Sequence, residues 1–361
     1  MSSAYLVLEN GRVFGGESLG LAADAGGVLG EVVFTTGMTG YLETLTDPSY
    51  YGQIVVQTWP LIGNYGVIRP DFESSSPWPR GYVLRECCGS PSNFRSEGPL
   101  GSLLAEQGVV GLCGIDTRAL TRIIRERGVM NGVITSDPEN VDFDLLRGYA
   151  IRDAVAGVST REVFVVNPDV TEGRGYHIVL WDFGAKANIA RSLAARGCRV
   201  TVVPHSYTAE QILKLAPDGV MLCNGPGDPE ENTGIIAELK KFTESMIPVF
   251  GICLGHQILA LAMGASTEKM KYGHRGANQP VRDTKTGSIS ITTQNHGYSV
   301  TPDSIPGNAL LRYVNANDGT CEGIDYKDIP AFSVQFHPEA SAGPLDTSFL
   351  FDRFIGMMEA G

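Results

Sequence analysis

The chain has 361 residues, more than one hydrophobic core usually holds, and at about 150 residues per domain it is expected to form two domains. Apolar residues make up 43% and charged residues 19% of the sequence, a composition that favours packed globular cores over disorder. The 40 acidic residues outnumber the 28 basic ones and give a formal charge of -12, which disfavours binding to nucleic acid or to an anionic membrane.

Targeting segments and metal motifs are not evident in the sequence. The first residues lack the basic region of a secretory signal, and no apolar run approaches the roughly 18 residues that cross a membrane, so we expect a cytoplasmic protein. Seven cysteines are scattered without a C-x-x-C pair, and none of the six other than Cys253 lies near a histidine at metal-ligand spacing. This pattern predicts reduced thiols and no metal site.

The first half of the chain contains short apolar segments that are separated by turn residues. Asn10-Gly11 between two apolar runs predicts a β-hairpin, and further strands are expected over 31–34 and 53–57. These segments are typical of a domain that contains several short strands.

Two helices are expected later in the same half. Asp116 can cap a helix whose apolar periodicity ends at Gly128, and a second helix is expected over 143–149. We therefore predict an α+β N-terminal domain over 1–172, with a linker at 155–176 where the periodicity weakens.

In the second half, expected strands alternate with expected helices. The strands are 178–180, 199–203, 219–223 and 248–252, and the helices are 188–195, 209–215 and 235–245. This alternation predicts an α/β domain over 173–361, with a doubly wound, mostly parallel sheet. Active sites in such sheets lie at the carboxyl ends of the strands.

An apolar run of the second domain ends at Cys253, which has Gly251 before it and Gly255 after it. Glycines at these positions permit the sharp strand-to-helix turn that exposes a nucleophile. The apolar residues that follow predict a helix, so Cys253 is expected at a helix N-terminus, where unpaired amides favour a thiolate. A glycine-flanked strand end can also be a simple packing device, and the turn alone leaves both interpretations open.

Three histidines are candidates for the base that such a nucleophile needs. His256 lies three residues after Cys253 and would have to fold back over the turn, so a structural role is favoured for it. His296 lies in a segment that we interpret as a loop. The third candidate, His337, has the strongest local argument.

The segment 331–337 alternates between apolar and polar residues and predicts a strand that ends at His337. Pro338 keeps His337 extended, so Glu339 can lie on the same side as the imidazole. A carboxylate there can orient one ring nitrogen and leave the other to take the thiol proton. The sequence therefore predicts a triad of Cys253, His337 and Glu339.

The segments 251–257 and 336–340 resemble the two motifs of the class I (triad) glutamine amidotransferases, which cleave glutamine through a cysteine thioester. Within that class the chain is similar to the small-subunit family of the carbamoyl-phosphate synthetases, since 37–41, 45–50 and 115–118 look like its N-terminal domain. The likeness covers essentially the whole chain. It implies that the C-terminal α/β domain is flavodoxin-like.

The resemblance also implies which residues contact glutamine: Ser49, Gly225, Gly227, Leu254, Gln257, Asn295, Gly297 and Tyr298. Some of these have independent support, because Gln257 lies one helical turn after the nucleophile and the amides of Leu254 and Gly227 can hold an oxyanion. Ser49 rests on the resemblance alone. Tyr298 stands where the family often has phenylalanine, a difference that leaves a backbone contact intact.

The implied reaction is hydrolysis of L-glutamine through a Cys253 thioester, with His337 as the acid and base. No cofactor is expected in this chain, which has neither a G-x-x-x-x-G-K-S/T nor a G-x-G-x-x-G motif. ATP and Mg²⁺ are expected in the partner, the large subunit of carbamoyl-phosphate synthetase, which uses the ammonia for arginine and pyrimidine biosynthesis. A stable heterodimer is expected, with the N-terminal domain as the docking platform and higher oligomers left open.

Three other functions stay open from the sequence. An amidotransferase subunit for anthranilate or guanine nucleotide synthesis would not need the first 170 or so residues. A cysteine hydrolase of the α/β-hydrolase type normally has its acid before its histidine, whereas Glu339 follows His337. A binding or regulatory subunit with a degenerate site is disfavoured because all three triad residues are present.

Overall fold

The computed structural model describes residues 2–168, 175–340 and 342–359. Contacts between residues divide the chain into two compact units, Met1–Arg152 (unit 1) and Asp153–Gly361 (unit 2). The predicted boundary between residues 172 and 173 lies outside the described residues. The predicted linker is wrong in its first part, because a helix, α5 (Ala154–Val158), and a strand, β10 (Phe164–Val166), form there.

Unit 1 contains nine strands in its described part. They are β1 (Ser3–Leu8), β2 (Val13–Gly20), β3 (Val28–Thr35), β4 (Gln53–Gln57), β5 (Leu61–Ile62), β6 (Gly81–Val83), β7 (Glu86–Cys87), β8 (Val110–Cys113) and β9 (Met130–Thr135). Seven of them close into a barrel in the order β1, β2, β8, β6, β4, β3, β9, while β5 and β7 form a separate pair. The sequence predicted strands and helices in this half, but not the closure, which removes free sheet edges.

The predicted hairpin and helices of unit 1 are confirmed. β1 and β2 pair antiparallel around the turn at Asn10-Gly11, where Gly11 has a φ of 82°. The helices of this unit are α1 (Tyr41–Thr46), α2 (Leu100–Glu106), α3 (Thr117–Arg127) and α4 (Phe143–Arg147). The side chain of Asp116 accepts a hydrogen bond from the Ala119 amide at the start of α3, and Gly128 ends that helix with a φ of 100°.

Unit 2 is built on one sheet of ten strands. Besides β10 these are β11 (His177–Asp182), β12 (Arg199–Pro204), β13 (Gly219–Leu222), β14 (Val249–Ile252), β15 (Thr267–Asp283), β16 (Ile289–Val300), β17 (Ala309–Asn315), β18 (Cys321–Tyr326) and β19 (Ala331–Val334). Their order is β10, β12, β11, β13, β14, β19, β18, β17, β15, β16.

The sheet is half parallel, not mostly parallel as predicted. β12, β11, β13, β14 and β19 run parallel, whereas the pairs from β19 through β18, β17 and β15 to β16 are antiparallel, as is the pair of β10 with β12. The parallel strands are apolar runs, a strong sequence signal, and they match the predicted ones. The antiparallel strands β15 and β16 mix polar and apolar residues without a regular period, so the sequence did not reveal them.

Helices cover both faces of the parallel strands, as a doubly wound sheet requires. They are α6 (Ala187–Ala194), α7 (Ala209–Leu213), α8 (Thr233–Thr243), α9 (Leu254–Ala262) and α10 (Phe349–Glu359). On one face, Phe250 of β14 packs against Phe351 and Phe354 of α10. On the other face, Gly251 contacts the backbone of α9. The nucleophile's strand is therefore fixed from both sides.

Candidate active site

The candidate site lies at the edge of the unit 2 sheet where the parallel strands end. The segments that follow β11, β13, β14 and β19 at this edge are 183–186, 223–227, Cys253 and 335–339. Because these ends meet on one side of the sheet, residues that are up to about 150 positions apart in sequence become neighbours.

Cys253 links β14 directly to α9 in an unusual backbone conformation. Its φ of 54° and ψ of -105° are rare for a residue with a side chain, and its amide donates to the Val334 carbonyl at 2.9 Å. The side chain is buried, and its Sγ donates to the Asn295 carbonyl at 3.6 Å. The neighbouring structure therefore holds the sulfur in a fixed place at the N-terminus of α9.

The two glycines around Cys253 are required by close packing. A Cβ atom on Gly251 would lie 2.8 Å from the Gly255 carbonyl oxygen, and a Cβ on Gly255 would lie 2.3 Å from the Leu222 carbonyl oxygen. The first turn of α9 thus lies against the ends of β13 and β14. Only glycine lets the helix begin this close to the sheet.

His337 and Glu339 form a buried pair beside this turn. The Nδ1 of His337 lies 2.6 Å from Oε1 of Glu339, and both side chains are buried. The His337 amide donates to the Thr293 carbonyl at 2.9 Å, which fixes the backbone. Its Nε2 is buried, and the imidazole interacts with the Cys253 side chain, so this nitrogen is placed for proton transfer with the thiol.

The charges around His337 favour its imidazolium form. Burial and the Lys186 ammonium act to lower the pKa of His337, but Glu339 and Cys253 together outweigh them and raise the pKa to about 9. Burial acts to raise the pKa of Glu339, but His337 and Lys186 lower it to about 2. The structure thus brings Cys253, His337 and Glu339 into one electrostatically coupled group.

Lys186 belongs to this group, although the sequence analysis did not single it out. Its Nζ lies 3.5 Å from Oε1 of Glu339. Its backbone amide donates a hydrogen bond to Oδ1 of Asn224 at 3.0 Å. Nδ2 of Asn224 also donates to the Gly184 carbonyl at 2.9 Å. The available signal was its position, because this lysine follows β11 by four residues and so falls at the carboxyl edge of the sheet.

The loop at Gly225 packs against Leu254, the residue that follows the nucleophile. A Cβ on Gly225 would lie 2.7 Å from Cδ2 of Leu254, so this loop packs directly on the first residue of α9. Gly227 has a φ of 87°, which favours glycine. The Leu254 amide is in the first turn of its helix and has no partner inside the helix, so it can donate a hydrogen bond to a substrate oxygen.

Gln257 is buried one turn into α9. Its Nε2 donates to the Tyr298 carbonyl at 2.7 Å and to Oε1 of Gln335 at 2.8 Å. These bonds occupy the donor side of the amide, so a contact with substrate would fall to the Gln257 oxygen.

Asn295, Gly297 and Tyr298 lie together on β16, so the predicted loop around His296 is wrong. His296 is buried, with Nδ1 2.8 Å from the Tyr298 carbonyl oxygen. The segment pairs with β15, which has bulges on both sides of His274, and these irregular registers hid the strand from periodicity analysis. Among these residues, Asn295 is brought to the nucleophile through its carbonyl.

Two further residues have clear local surroundings. Ser49 lies in unit 1, in a short turn over Pro48–Tyr50, and its amide donates to Oδ1 of Asp47 at 2.9 Å.

His256 is fully buried, with Nδ1 2.8 Å from Oγ of Ser333, and burial lowers its pKa to about 3. A neutral, hydrogen-bonded His256 agrees with the structural role that was favoured for it.

Comparison with known proteins assigns families to both halves. Residues 179–357 match the family model "Glutamine amidotransferase class-I", and residues 6–134 match "Carbamoyl-phosphate synthase small chain, CPSase domain". The carbamoyl phosphate synthase small chain of Clostridium perfringens is 50% identical over 354 residues, which is 98% of each chain. That of Oceanobacillus iheyensis is 50% identical over 364 residues, which is 100% of this chain and 97% of the relative.

Among solved structures, a putative GMP synthase subunit from Thermoplasma acidophilum is 24% identical, with a TM-score of 0.46. It covers 52% of this chain, and the match covers 96% of that protein. Within the described residues, no helix has the length and apolar character that a membrane span needs.

Proposed function

The chain belongs to the carbamoyl phosphate synthase small chain family, and from this we propose how its own residues release ammonia from glutamine. It is the glutamine-hydrolysing subunit of that synthase. The observation that carries the proposed mechanism is the cluster of Cys253, His337 and Glu339, in which the His337 imidazole interacts with both the thiol and the carboxylate.

In the proposed first half-reaction, the Cys253 thiolate attacks the side-chain carboxamide carbon of glutamine. The resulting oxyanion is held by the amides of Leu254 and Gly227. His337, as imidazolium, gives its proton to the amide nitrogen, and the C–N bond breaks to release ammonia and leave a thioester. Glu339 stabilises the imidazolium form of His337, which is the form that donates the proton.

In the second half-reaction, neutral His337 takes a proton from water while the water oxygen attacks the thioester carbon. The C–S bond then breaks, Cys253 returns to the thiolate and His337 to the imidazolium, and the new carboxyl group loses the remaining water proton to solvent as glutamate leaves. No metal or cofactor takes part in either half-reaction. Under this proposal ATP and Mg²⁺ act in the large subunit, where carbamoyl phosphate is made.

We propose that glutamine is held by Ser49, Gly225, Gly227, Leu254, Gln257, Asn295, Gly297 and Tyr298. Two details of unit 2 support this assignment. The Asn295 carbonyl of β16 lies 3.6 Å from the Cys253 sulfur. The Gly227 loop borders a cleft whose acidic lining residues Asp153, Asp228 and Glu231 favour an α-ammonium group. For Ser49 the support is the family alone, and a Ser49→Ala variant with an unchanged KM for glutamine would remove it from the set.

The partner is the large subunit of the same synthase, and we propose that unit 1 docks it in the cytoplasm. Unit 1 supplies no residue of the triad, which leaves its surface available for assembly. The isolated chain is expected to hydrolyse glutamine slowly, with an increase when the large subunit is added. A rate that is high from the start and unaffected by the large subunit would contradict this coupling.

The proposed nucleophile is tested in the assembled synthase with a Cys253→Ser variant. Glutamine-dependent synthesis of carbamoyl phosphate should be lost, while synthesis from added ammonia should continue, because only glutamine hydrolysis uses this thiol. Mass spectrometry after treatment with a diazoketone analogue of glutamine should locate the adduct on Cys253. An adduct on another residue, or persistent glutamine-dependent synthesis in the variant, would refute the assignment.

A further inference from the structure

A second cluster of ligating side chains is buried in the antiparallel half of the unit 2 sheet. His274 of β15, His296 of β16 and Glu322 of β18 each place one donor atom within 4.8 Å of the others. Their exposed fractions are 8%, 5% and 0%, so the cluster is closed to solvent. None of the three belongs to the triad or to the proposed glutamine contacts.

The ring nitrogen of each histidine that points away from the cluster has an oxygen partner. Nε2 of His274 lies 2.8 Å from Oδ2 of Asp318, which places a ring proton on Nε2, and metal binding uses the tautomer in which Nδ1 carries a lone pair. Nδ1 of His296 lies 2.8 Å from the Tyr298 carbonyl oxygen, so Nε2 carries the lone pair. A carboxylate or a carbonyl oxygen behind the far ring nitrogen is the usual support of a metal-bound histidine.

The lone pair of His296 faces another acceptor. Its Nε2 lies 3.1 Å from Oε1 of Gln294. The orientation of this amide is fixed, because Nε2 of Gln294 donates to Oε2 of Glu322 at 2.9 Å and to Oγ1 of Thr292 at 3.2 Å. The Thr292 hydroxyl donates its own proton to the Gln279 carbonyl and must therefore accept from Gln294.

A neutral imidazole has one N–H, and His296 directs its two nitrogens toward two acceptors. A cation between Nε2 and the Gln294 oxygen would satisfy both lone pairs. Nδ1 of His274 and Oε1 of Glu322 lie 3.5 Å apart. The Nδ2 of Asn315 lies 3.5 Å from the first atom and 3.2 Å from the second, so a bound ion would replace this amide as their partner. Two imidazole nitrogens, one carboxylate and one amide oxygen therefore converge on one small buried volume.

We propose that His274, His296 and Glu322 bind a divalent transition-metal ion of the zinc class, with the Gln294 side-chain oxygen as a fourth donor. Imidazole and carboxylate donors suit Zn²⁺ and its neighbours better than Mg²⁺ or Ca²⁺, which prefer all-oxygen sites. In a tetrahedral site, zinc bonds of about 2.0–2.2 Å separate neighbouring donors by roughly 3.3–3.6 Å. Binding therefore draws together donor atoms that lie within 4.8 Å of one another by up to about 1 Å.

The ion has a structural role in this proposal. It joins β15, β16 and β18, and β16 carries Asn295, whose carbonyl accepts from the nucleophile. The donors come from three strands that are far apart in sequence, which is why cysteine and histidine spacing gave no sign of the site. Binding by these residues does not depend on the proposed reaction.

The site is tested by the metal content of the full chain, expressed without an affinity tag and with zinc in the growth medium. Mass spectrometry of the elements should find about one zinc-class ion per chain in the parent protein and a loss of at least tenfold in His274→Ala and in Glu322→Gln. The Glu322→Gln change keeps the shape of the side chain, so it separates ligand loss from misfolding. Circular dichroism of each variant checks that it is folded.

Two matched variants locate the ion. Cys253→Ala removes the other plausible metal ligand, the active-site thiol, and His177→Ala removes a histidine that lies at the far end of the sheet. Both should keep the parent metal content. A metal-free parent chain, an ion that survives both cluster variants, or an ion that is lost in Cys253→Ala would overturn the proposal.

Cobalt substitution adds an optical readout. Dialysis of the full chain against Co²⁺ should produce visible ligand-field bands without a thiolate charge-transfer band, because the proposed donors contain no sulfur. A thiolate band would instead place the ion on a cysteine and contradict the assignment.

Discussion

The Nδ1 of His337 lies 2.6 Å from Oε1 of Glu339, and the same oxygen lies 3.5 Å from Nζ of Lys186. One buried carboxylate therefore faces two positive groups. Glu339 raises the pKa of His337 against the effects of burial and of Lys186. In turn, the His337 imidazolium and the Lys186 ammonium lower the pKa of Glu339. This relationship sets the protonation state in which the base acts, and the first two predictions depend on it.

Replacing Glu339 by glutamine should reduce glutamine hydrolysis and change its pH dependence. The proton that His337 gives to the leaving amide nitrogen is present on the imidazole below its pKa of about 9 and lost above it, so activity should fall on the alkaline side. Glu339→Gln removes a cause that raises this pKa, so the alkaline limb should move to lower pH, with kcat lower by about 10²- to 10⁴-fold. The pH profile of kcat/KM in the assembled synthase measures both. An unshifted alkaline limb would show that Glu339 does not tune the base.

Replacing Lys186 by methionine should shift the same limb the other way. The ammonium lowers the pKa of His337, so its removal should move the limb to higher pH. We expect kcat/KM to fall about tenfold, equivalent to about 1.4 kcal/mol, because Glu339 loses one of its buried partners. Lys241→Met, which breaks an exposed ion pair with Glu238, is the control and should leave the profile unchanged. A limb that moves to lower pH would reverse the assigned role.

Adding a methyl group at Gly255 should prevent the turn from forming. The Cβ atom would lie 2.3 Å from the Leu222 carbonyl oxygen, a contact with rigid backbone, so we expect a loss of about 3 kcal/mol or more of unfolding free energy. The matched variant is Gly356→Ala in α10, where the added Cβ would have no atom within 4 Å outside its own helical turn. Alanine should stabilise this helix by about 0.5–1 kcal/mol. Urea unfolding measures both changes. Equal stability of the two variants would contradict the packing argument.

Phe250 should be a large contributor to the stability of unit 2. Its ring stacks on Phe332 at a centroid distance of 4.3 Å and contacts two rings of α10, and it is fully buried. Phe250→Ala should cost about 3–5 kcal/mol through lost burial and a residual cavity. Phe94→Ala, at a side chain that is 97% exposed, should change stability by less than about 0.5 kcal/mol. Calorimetric unfolding of the two variants tests the difference.

The sequence by itself determined the local features of the fold. Apolar runs identified the parallel strands because these strands are buried on both faces, and the Asp116 cap and the Asn10-Gly11 turn were readable because their chemistry acts within a few residues. The same holds for the turn at Cys253, where glycine spacing reflects contacts with the nearest strands.

The tertiary structure decided which distant groups meet. Lys186 joins Glu339 only because β11 and β19 end at the same edge of the sheet, and His274 meets Glu322 only because β15 and β18 flank β17. The bulged pairing of β15 with β16, and the closure of the barrel, also depend on partners far away in sequence. No local periodicity encodes such pairings, because their free energy comes from packing between strands and not from the propensity of either one.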